Sequence, residues 1–463
     1  MNLNKLFILI FVLLVVACDD RLDIEPEQSL SIDASFSDES TSRASLSGVY
    51  SQCQDLDVFG AMPQIINDFM ADNVDFIGSF PTLIDIRDFQ TITDNATVAG
   101  IFRDHYQAIL GANSVITFVP DVQDDAFSPE ERNVVIGEAK FLRAMLYHNL
   151  VTLFGQPYTV DGGSSLGVSL ITTPDALTGG DLLVPRSTVA ETYTLIESDL
   201  NDAIAALPDS GARVFASKGA AQALLSRVEL YKGQYGQAAS LAGELINNSN
   251  YTLAADYSFY NNETPEDIFS LQMTAIDNSR TGSGGWASFY NPAEAGARGD
   301  CPFSADLLAD FDQENDLRFL NLSQIGQNML TYTTKFPDAT NNTDNAPLIR
   351  ITEMYLTRAE ALAEVNGVNQ ESVDLINQLR TRAGLSTFTT SDFADGAALV
   401  DQILDERRKE LCFEGHRRND LLRKGKELRE GDNNTAPGAT RVVLPIPQRE
   451  IDLGSSTPQN LGY

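Results

Sequence analysis

The stretch SKGAAQALLSRVELYKGQYGQAASLAGELINN, residues 217–248, limits what this chain can fold into more than any other. Small residues (Ala220, Ala221, Ala223) are followed by Tyr231, Gly233 and Tyr235, then by Ala238 and Ala239. The pattern predicts two closely packed helices joined near Lys232-Gly233-Gln234, in the manner of a tetratricopeptide helix-turn-helix unit. The same shape returns in LIRITEMYLTRAEALAEVNG, with QESVDLINQLRTRAGL as its second helix, and a third instance begins at AALVDQILDERRKELCFEG. One such hairpin cannot cover its own apolar face, so neighbours must stack on one another. The expected fold is mostly α: a tetratricopeptide-like helical-hairpin scaffold with long irregular loops and little β.

Other segments fit that scaffold. Ser128 and Glu131 form a capping pattern with Pro129 between them, and Val135, Ala139, Leu142, Met145, Leu146 and Leu150 then keep a three-four spacing. Val189 to Leu207 reads as a further amphipathic helix. Two stretches lack such order: Gln156 to Arg186, rich in Gly, Ser, Thr and Pro, and Asn248 to Asn345. The second holds Trp286, the single tryptophan, with Tyr251, Tyr257, Phe259, Tyr260, Phe289, Tyr290 and Phe303. Long loops in a compact protein are commonly functional, and aromatic content favours order. The expected organisation is an N-terminal half, 36–240, and a C-terminal half, 241–463, with a loop insert at 248–345.

The N-terminus carries an address. Leu6 to Ala17 is a run of apolar residues after a short lead with one lysine. It is too short for a bilayer span, which needs about 20, and has the length of a secretion signal core. It ends in LVVAC, which resembles a lipobox. Residues 1–17 are thus expected as a signal peptide, Cys18 as the lipidated (palmitate-bearing) residue, and 18–35 as a flexible acidic tether. Cys53, Cys301 and Cys412 cannot all pair within the chain and match no zinc spacing, so buried free thiols are expected. His105, His148 and His416 stand far apart. No metal site and no cofactor is expected.

With 65 acids against 32 bases the net charge is -33, which disfavours nucleic acid as a partner. Yet eight of those bases crowd into ERRKELCFEGHRRNDLLRKGK, Glu406 to Lys426. Glu410, Glu414 and Asp420 are interspersed. The stretch reads as one helix anchored by Leu404, Leu411 and Leu422. Its spaced pairs, Arg407 with Glu410 and Glu414 with Arg418, would each contribute about 0.2–0.5 kcal/mol. Internal ion pairing is the expected role.

The same stretch closely resembles the pattern ERR-x-EL-x-FEG-x-R-x-x-DL-x-R of SusD/RagB-like outer-membrane lipoproteins. GEAKFLRAMLYHNLVTLFGQPY, LIRITEMYLTRAEALAEVNG, FRDHYQAILGANSVI, VVLPIPQREIDL and the terminal PQNLGY resemble further signatures of that family. The resemblance runs from the lipobox to the last residue. It implies a surface lipoprotein of the outer membrane that captures oligosaccharide, in some members peptide, and delivers it to a SusC-like TonB-dependent transporter without catalysis. It also implies that Arg407, Arg408, Glu410, Glu414, Arg417 and Asp420 form a buried or half-buried ion network. Three departures stand out: Arg418 and Asn419 where the family often has Trp or Phe, Phe102 where it commonly has Trp, and PQNLGY in place of QNPGY.

Sugar rings pack their C–H faces on aromatic planes and need fixed polar partners for their hydroxyls. On that ground the candidate ligand residues are Trp286 with Tyr290 and Asn291, Asp72 and Asn73 near Phe76, and Arg350; the family resemblance adds Arg298 and Cys301, which lie where its members often have a ligand-proximal segment. Structural roles compete at three of these positions: a core plug at Trp286, a helix end with a turn at 72–76, and pairing with an acid at Arg350. No Gly-x-Ser-x-Gly elbow, P-loop or Gly-x-Gly-x-x-Gly fingerprint is present. A carboxylate pair for glycoside hydrolysis remains open among so many acids. Peptide capture by the same lid mechanism stays open too, as does a non-binding scaffold of the transporter complex.

Overall fold

The computed structural model describes residues 32–174, 184–279, 284–453 and 458–463. The signal segment 1–17, Cys18 and most of the 18–35 tether lie outside the described residues. In chain order the helices used below are α1 (Glu39–Cys53), α2 (Met62–Met70), α3 (Ala96–Phe118), α4 (Pro129–Phe154), α5 (Val189–Ala206), α6 (Lys218–Lys232), α7 (Tyr235–Ile246), α8 (Trp286–Tyr290), α9 (Ile351–Asn366), α10 (Gln370–Arg382), α11 (Gly396–Leu411) and α12 (Arg417–Arg423). No helix among the described residues is long and apolar enough to cross a membrane.

The capping pattern read from the sequence sets the start of α4. The Glu131 amide donates to Ser128 Oγ at 3.2 Å, and the Ser128 amide donates back to Glu131 Oε2 at 3.0 Å. Helix α6 ends on Gly233, whose φ of 77° lets the chain reverse into α7. Small residues then let helices approach: a Cβ at Gly243 would collide with the Arg358 guanidinium of α9. The helices stack in series, α1 on α3, α3 on α4, α4 on α5, α5 on α6, α6 on α7 and α7 on α9, with α10 and α11 packed on α9. This is the solenoid that the hairpin pattern predicts. One apolar core runs through both halves of the chain, from Leu46 to Ile446.

The insert between α7 and α9 is more ordered than its weak periodicity suggests. Among the described residues it contains β3 (Asp267–Leu271), α8, and the hairpin of β4 (Ser323–Ile325) with β5 (Thr331–Thr333). Strand β3 pairs antiparallel with β6 (Ala346–Arg350), and both are wholly buried. The insert is therefore clipped to the scaffold where α9 begins. A further pair, β1 (Leu166–Ser169) with β2 (Arg186–Thr188), lies in the Gly/Ser-rich stretch.

The basic C-terminal stretch is not one helix. It breaks between α11 and α12, with Phe413 at φ 65° and Gly415 at φ 78°. The break drives the Phe413 ring inward against Phe303, at 4.5 Å, and Tyr290, at 5.2 Å. It also undoes the expected Glu414–Arg418 pair, whereas Arg407 and Glu410, both within α11, part because each finds another partner. Glu414 meets Arg350 at 2.9 Å and Lys335 at 2.8 Å instead of Arg418. Arg407 meets Asp420 at 2.8 Å. Arg382 meets Glu410 at 2.6 Å, and Arg417 meets Asp72 at 2.6 Å. Arg408 bridges Asp306 at 2.7 Å, Asp310, and the Asn73 side-chain oxygen at 3.0 Å. Arg418 lies buried and donates to the Thr152 and Val442 carbonyls. Burial pushes the Glu414 carboxyl up, but Arg350 and Lys335 outweigh it and hold it down at about 2. Cys53, Cys301 and Cys412 are buried free thiols, and burial raises each of them.

Candidate functional site

Three segments that the sequence singled out meet on one face. Val74 bridges to Phe303, the Asp75 amide donates to Pro302 O at 3.2 Å, and the Ile77 amide donates to Asp300 O at 2.9 Å. The Phe303 amide continues the pairing to Thr331 O of β5 at 2.9 Å. Behind them the Arg298 amide donates to Ser288 O at 2.9 Å, and that of Gly299 to Asn291 O at 3.1 Å. Segments 74–77, 286–291 and 298–303 thus form a single backbone patch, although the first lies far from the other two along the chain.

Extended backbone alternates its side chains between two faces. Asp75, Ile77 and Ser79 face out, while Val74 and Phe76 are buried. That alternation reverses the expectation at Phe76, which packs against Phe69 at 5.1 Å. Asn73 also turns inward, donating to Asp68 Oδ1 at 3.3 Å. Asp72 is half-buried between Arg417 and Arg408. Burial raises its carboxyl, but those two guanidiniums pull it below the ordinary carboxylate range.

The aromatic loop turns inward for a similar reason. Trp286, Phe289 and Tyr290 have the i, i+3, i+4 spacing of one helical face, and α8 buries that face. Trp286 is 3 % exposed, with its ring 4.9 Å from Phe336. It is the core plug, with no face left for a sugar. Tyr290 donates to Asp68 Oδ2 at 2.6 Å. Asn291 accepts from Gln324 at 3.0 Å and donates to the Ala287 and Phe336 carbonyls. Cys301 is wholly buried. Arg350 lies in the ion network, between Glu414 at 2.9 Å and Glu266 at 3.0 Å, so pairing with an acid is its role. These side chains support the face from beneath.

Arg298 alone of that set reaches the outer layer beside an exposed ring. Its guanidinium carbon sits 4.5 Å from the Phe289 ring centroid and 4.1 Å from that of Phe80, and its Nε donates to Asp300 at 2.7 Å. Phe80 is 48 % exposed. The order inside to outside is Phe289, Arg298, Phe80, leaving the outer face of Phe80 open beside Ile77, itself 51 % exposed. Sequence reasoning missed Phe80. It stands directly before Pro81, the first residue of a short helix, Pro81–Arg87, and is held in extended geometry. A lone phenylalanine before a proline carries no signal of that placement. Gly78 is required between them: a Cβ there would come within 2.6 Å of the Phe76 ring and 2.8 Å of the Asp300 side chain.

Beneath the face, burial pushes the Asp68 carboxyl up to about 7, against the opposing hydrogen bonds from Tyr290 and Asn73. Elsewhere Asp55, Asp57 and Asp104 bring carboxylate oxygens within 4.8 Å of one another. Arg103, bonded to Asp104 at 2.6 Å, already supplies a cation there.

A hairpin solenoid that carries one loop-built, aromatic-backed face defines a class of helical scaffold protein. Its relatives say which. A model of the SusD family matches residues 312–463, and a second, described as starch-binding associating with outer membrane, matches residues 22–230. SusD-like protein P2 of Formosa agariphila is 26 % identical over 528 aligned residues, covering 100 % of both chains. A crystallised SusD superfamily protein of Bacteroides thetaiotaomicron superimposes with a TM-score of 0.81 at 27 % identity, covering 93 % of this chain and 100 % of that one. A laminarin binding SusD-like protein superimposes with a TM-score of 0.76 at 25 % identity, covering 92 % and 100 %. The chain belongs to the SusD/RagB-like family.

Proposed function

We propose that this protein is a glycan-binding lipoprotein of the outer-membrane surface, held by acylated Cys18, that captures oligosaccharide and delivers it to a SusC-like TonB-dependent transporter. The observation that carries the reading is the Phe80 ring: exposed, stiffened from behind by Arg298 and Phe289, with Ser79 next to it in the chain and Asp300 bonded to the stacked Arg298. A rigid aromatic plane beside short polar groups is suited to a sugar ring. Family likeness to a laminarin-binding protein and to a starch-binding family model supports the same class of ligand. The protein binds and does not catalyse in this reading. Trp286, Tyr290, Asn291, Asn73, Phe76, Cys301 and Arg350 act as supports, and Asp72 and Arg298 fix the rim.

Affinity electrophoresis of residues 19–463 against a panel of polysaccharides tests the proposal, with Phe80→Ala run beside it. Retardation by a glycan that weakens severalfold, up to about tenfold, in the variant is expected, since a stacking aromatic contributes about 0.5–1.5 kcal/mol. The retained glycan should be recovered at unchanged chain length. Retardation unaffected by the variant would move the site off this face. Chain shortening would make the protein an enzyme.

A further inference from the structure

Below the FEGHRRND turn, and away from the Phe80 face, lies a polar chamber of about 60 Å³. It opens where α2, α4, α6, the start of α12 and the residue pair Gly415-His416 converge. Three side chains on its wall are more than nine-tenths buried and have an atom with no hydrogen-bond partner: Gln64 Oε1, Asn67 Oδ1 and His148 Nε2. A buried polar atom left unpaired costs about 1–3 kcal/mol, and three together in one native interior call for a guest. The charged groups at the wall are already matched: Arg227 with Glu353 at 2.6 Å, and Glu414 with Arg350 at 2.9 Å. Burial pushes His148 down to about 3 and His416 to about 4, so both rings are neutral. Asn149, Thr152 and Asn419 add groups that both donate and accept. A guest here must be neutral and able to do both.

We propose that this chamber is a site for small neutral hydroxyl compounds: a resident water cluster hydrogen-bonded to Gln64, Asn67 and His148, replaceable by a short polyol of the glycerol class. A single water needs at least about 10–15 Å³ of such space, so a chamber of about 60 Å³ has room for a few. The chamber shares no lining residue with the Phe80 face, so the site is distinct from the one proposed there. Its occupancy does not depend on the function proposed above.

The test is a crystal structure of the full mature chain purified in detergent, frozen without polyol, with parallel crystals held under xenon or soaked in glycerol. Ordered water within hydrogen-bond distance of Gln64, Asn67 and His148 is expected. Xenon in the chamber with no water there would overturn the proposal, because dry cavities take xenon and hydrated polar ones do not. In the glycerol crystals, glycerol in place of the waters supports the polyol class; waters unmoved with glycerol elsewhere overturn that half. Thermal unfolding of Asn67→Leu gives an independent sign. Stripping a hydrated site should lower the midpoint by roughly 2 °C or more, whereas removing an orphan amide from a dry cavity should raise it.

Discussion

Asp68 links the supporting layer of the candidate face to the pH of the medium. Its carboxyl accepts from Tyr290 and Asn73 and has no exposure to solvent. Burial raises it to about 7 from 3.8. Folding therefore holds this proton more tightly than the unfolded chain does. The stability gained from the neutral carboxyl is fully present below pH 4 and is lost as the pH rises through about 7. A rise of about three pH units corresponds to about 4 kcal/mol, at about 1.4 kcal/mol for each. Asp68→Asn keeps the shape and a neutral side chain but removes the titration. Urea unfolding followed by the fluorescence of Trp286, the single tryptophan, reports on the same neighbourhood, since its ring lies 6.4 Å from that of Tyr290. Near pH 4 the two proteins should be close in stability. By pH 8 the variant should be the more stable by a few kcal/mol. Two profiles that stay parallel to within about 1 kcal/mol from pH 4 to pH 8 would refute the reasoning, because the carboxyl would then titrate alike in both states.

Trp286→Ala should destabilise the fold by about 3–5 kcal/mol, as expected for emptying a buried aromatic site. Any loss of glycan binding in that variant should therefore track a lowered urea midpoint, unlike the loss in Phe80→Ala, which removes a contact with Arg298 worth only about 0.5–1 kcal/mol. Glu414→Gln leaves Arg350 and Lys335 without their shared carboxylate and should cost about 3–5 kcal/mol in urea unfolding at pH 7. Because the folded carboxyl is held down at about 2, the parent's advantage should be present above pH 4.5 and fade as the pH falls toward 2.

The scaffold was legible in the sequence because its signals are local. Ser128 with Glu131, Gly233 between two tyrosines, and the alanine pairs of α6 and α7 each specify geometry within a few residues. The ion network was legible as a role but not in its partners. Arg350, Lys335 and Glu266 come from the insert and from β6, and only the three-dimensional break at Phe413 brings Glu414 to them. The face was legible by segment and not by side chain. Residues 72–76, 286–291 and 298–301 do converge, but which residues point out depends on a bridge between Val74 and Phe303 that no spacing encodes. At Trp286 the signal was present and outweighed: the i, i+3, i+4 aromatic spacing marked a buried helical turn, while the surrounding glycines and serines suggested an open loop.

The buried ion network also bears on how the protein meets salt. Arg318, Arg350, Arg382, Arg407 and Arg423 are held inside, each against an acid that is itself buried. Those pairs cancel out of reach of solvent, so most of the chain's net charge of -33 falls to groups outside them, with fewer bases to temper it. Added electrolyte screens that self-repulsion over a distance of about 10 Å at 0.1 M while leaving the internal pairs at nearly full strength. Added salt should then raise the urea midpoint of this molecule, where it would lower that of a fold held chiefly by surface bridges.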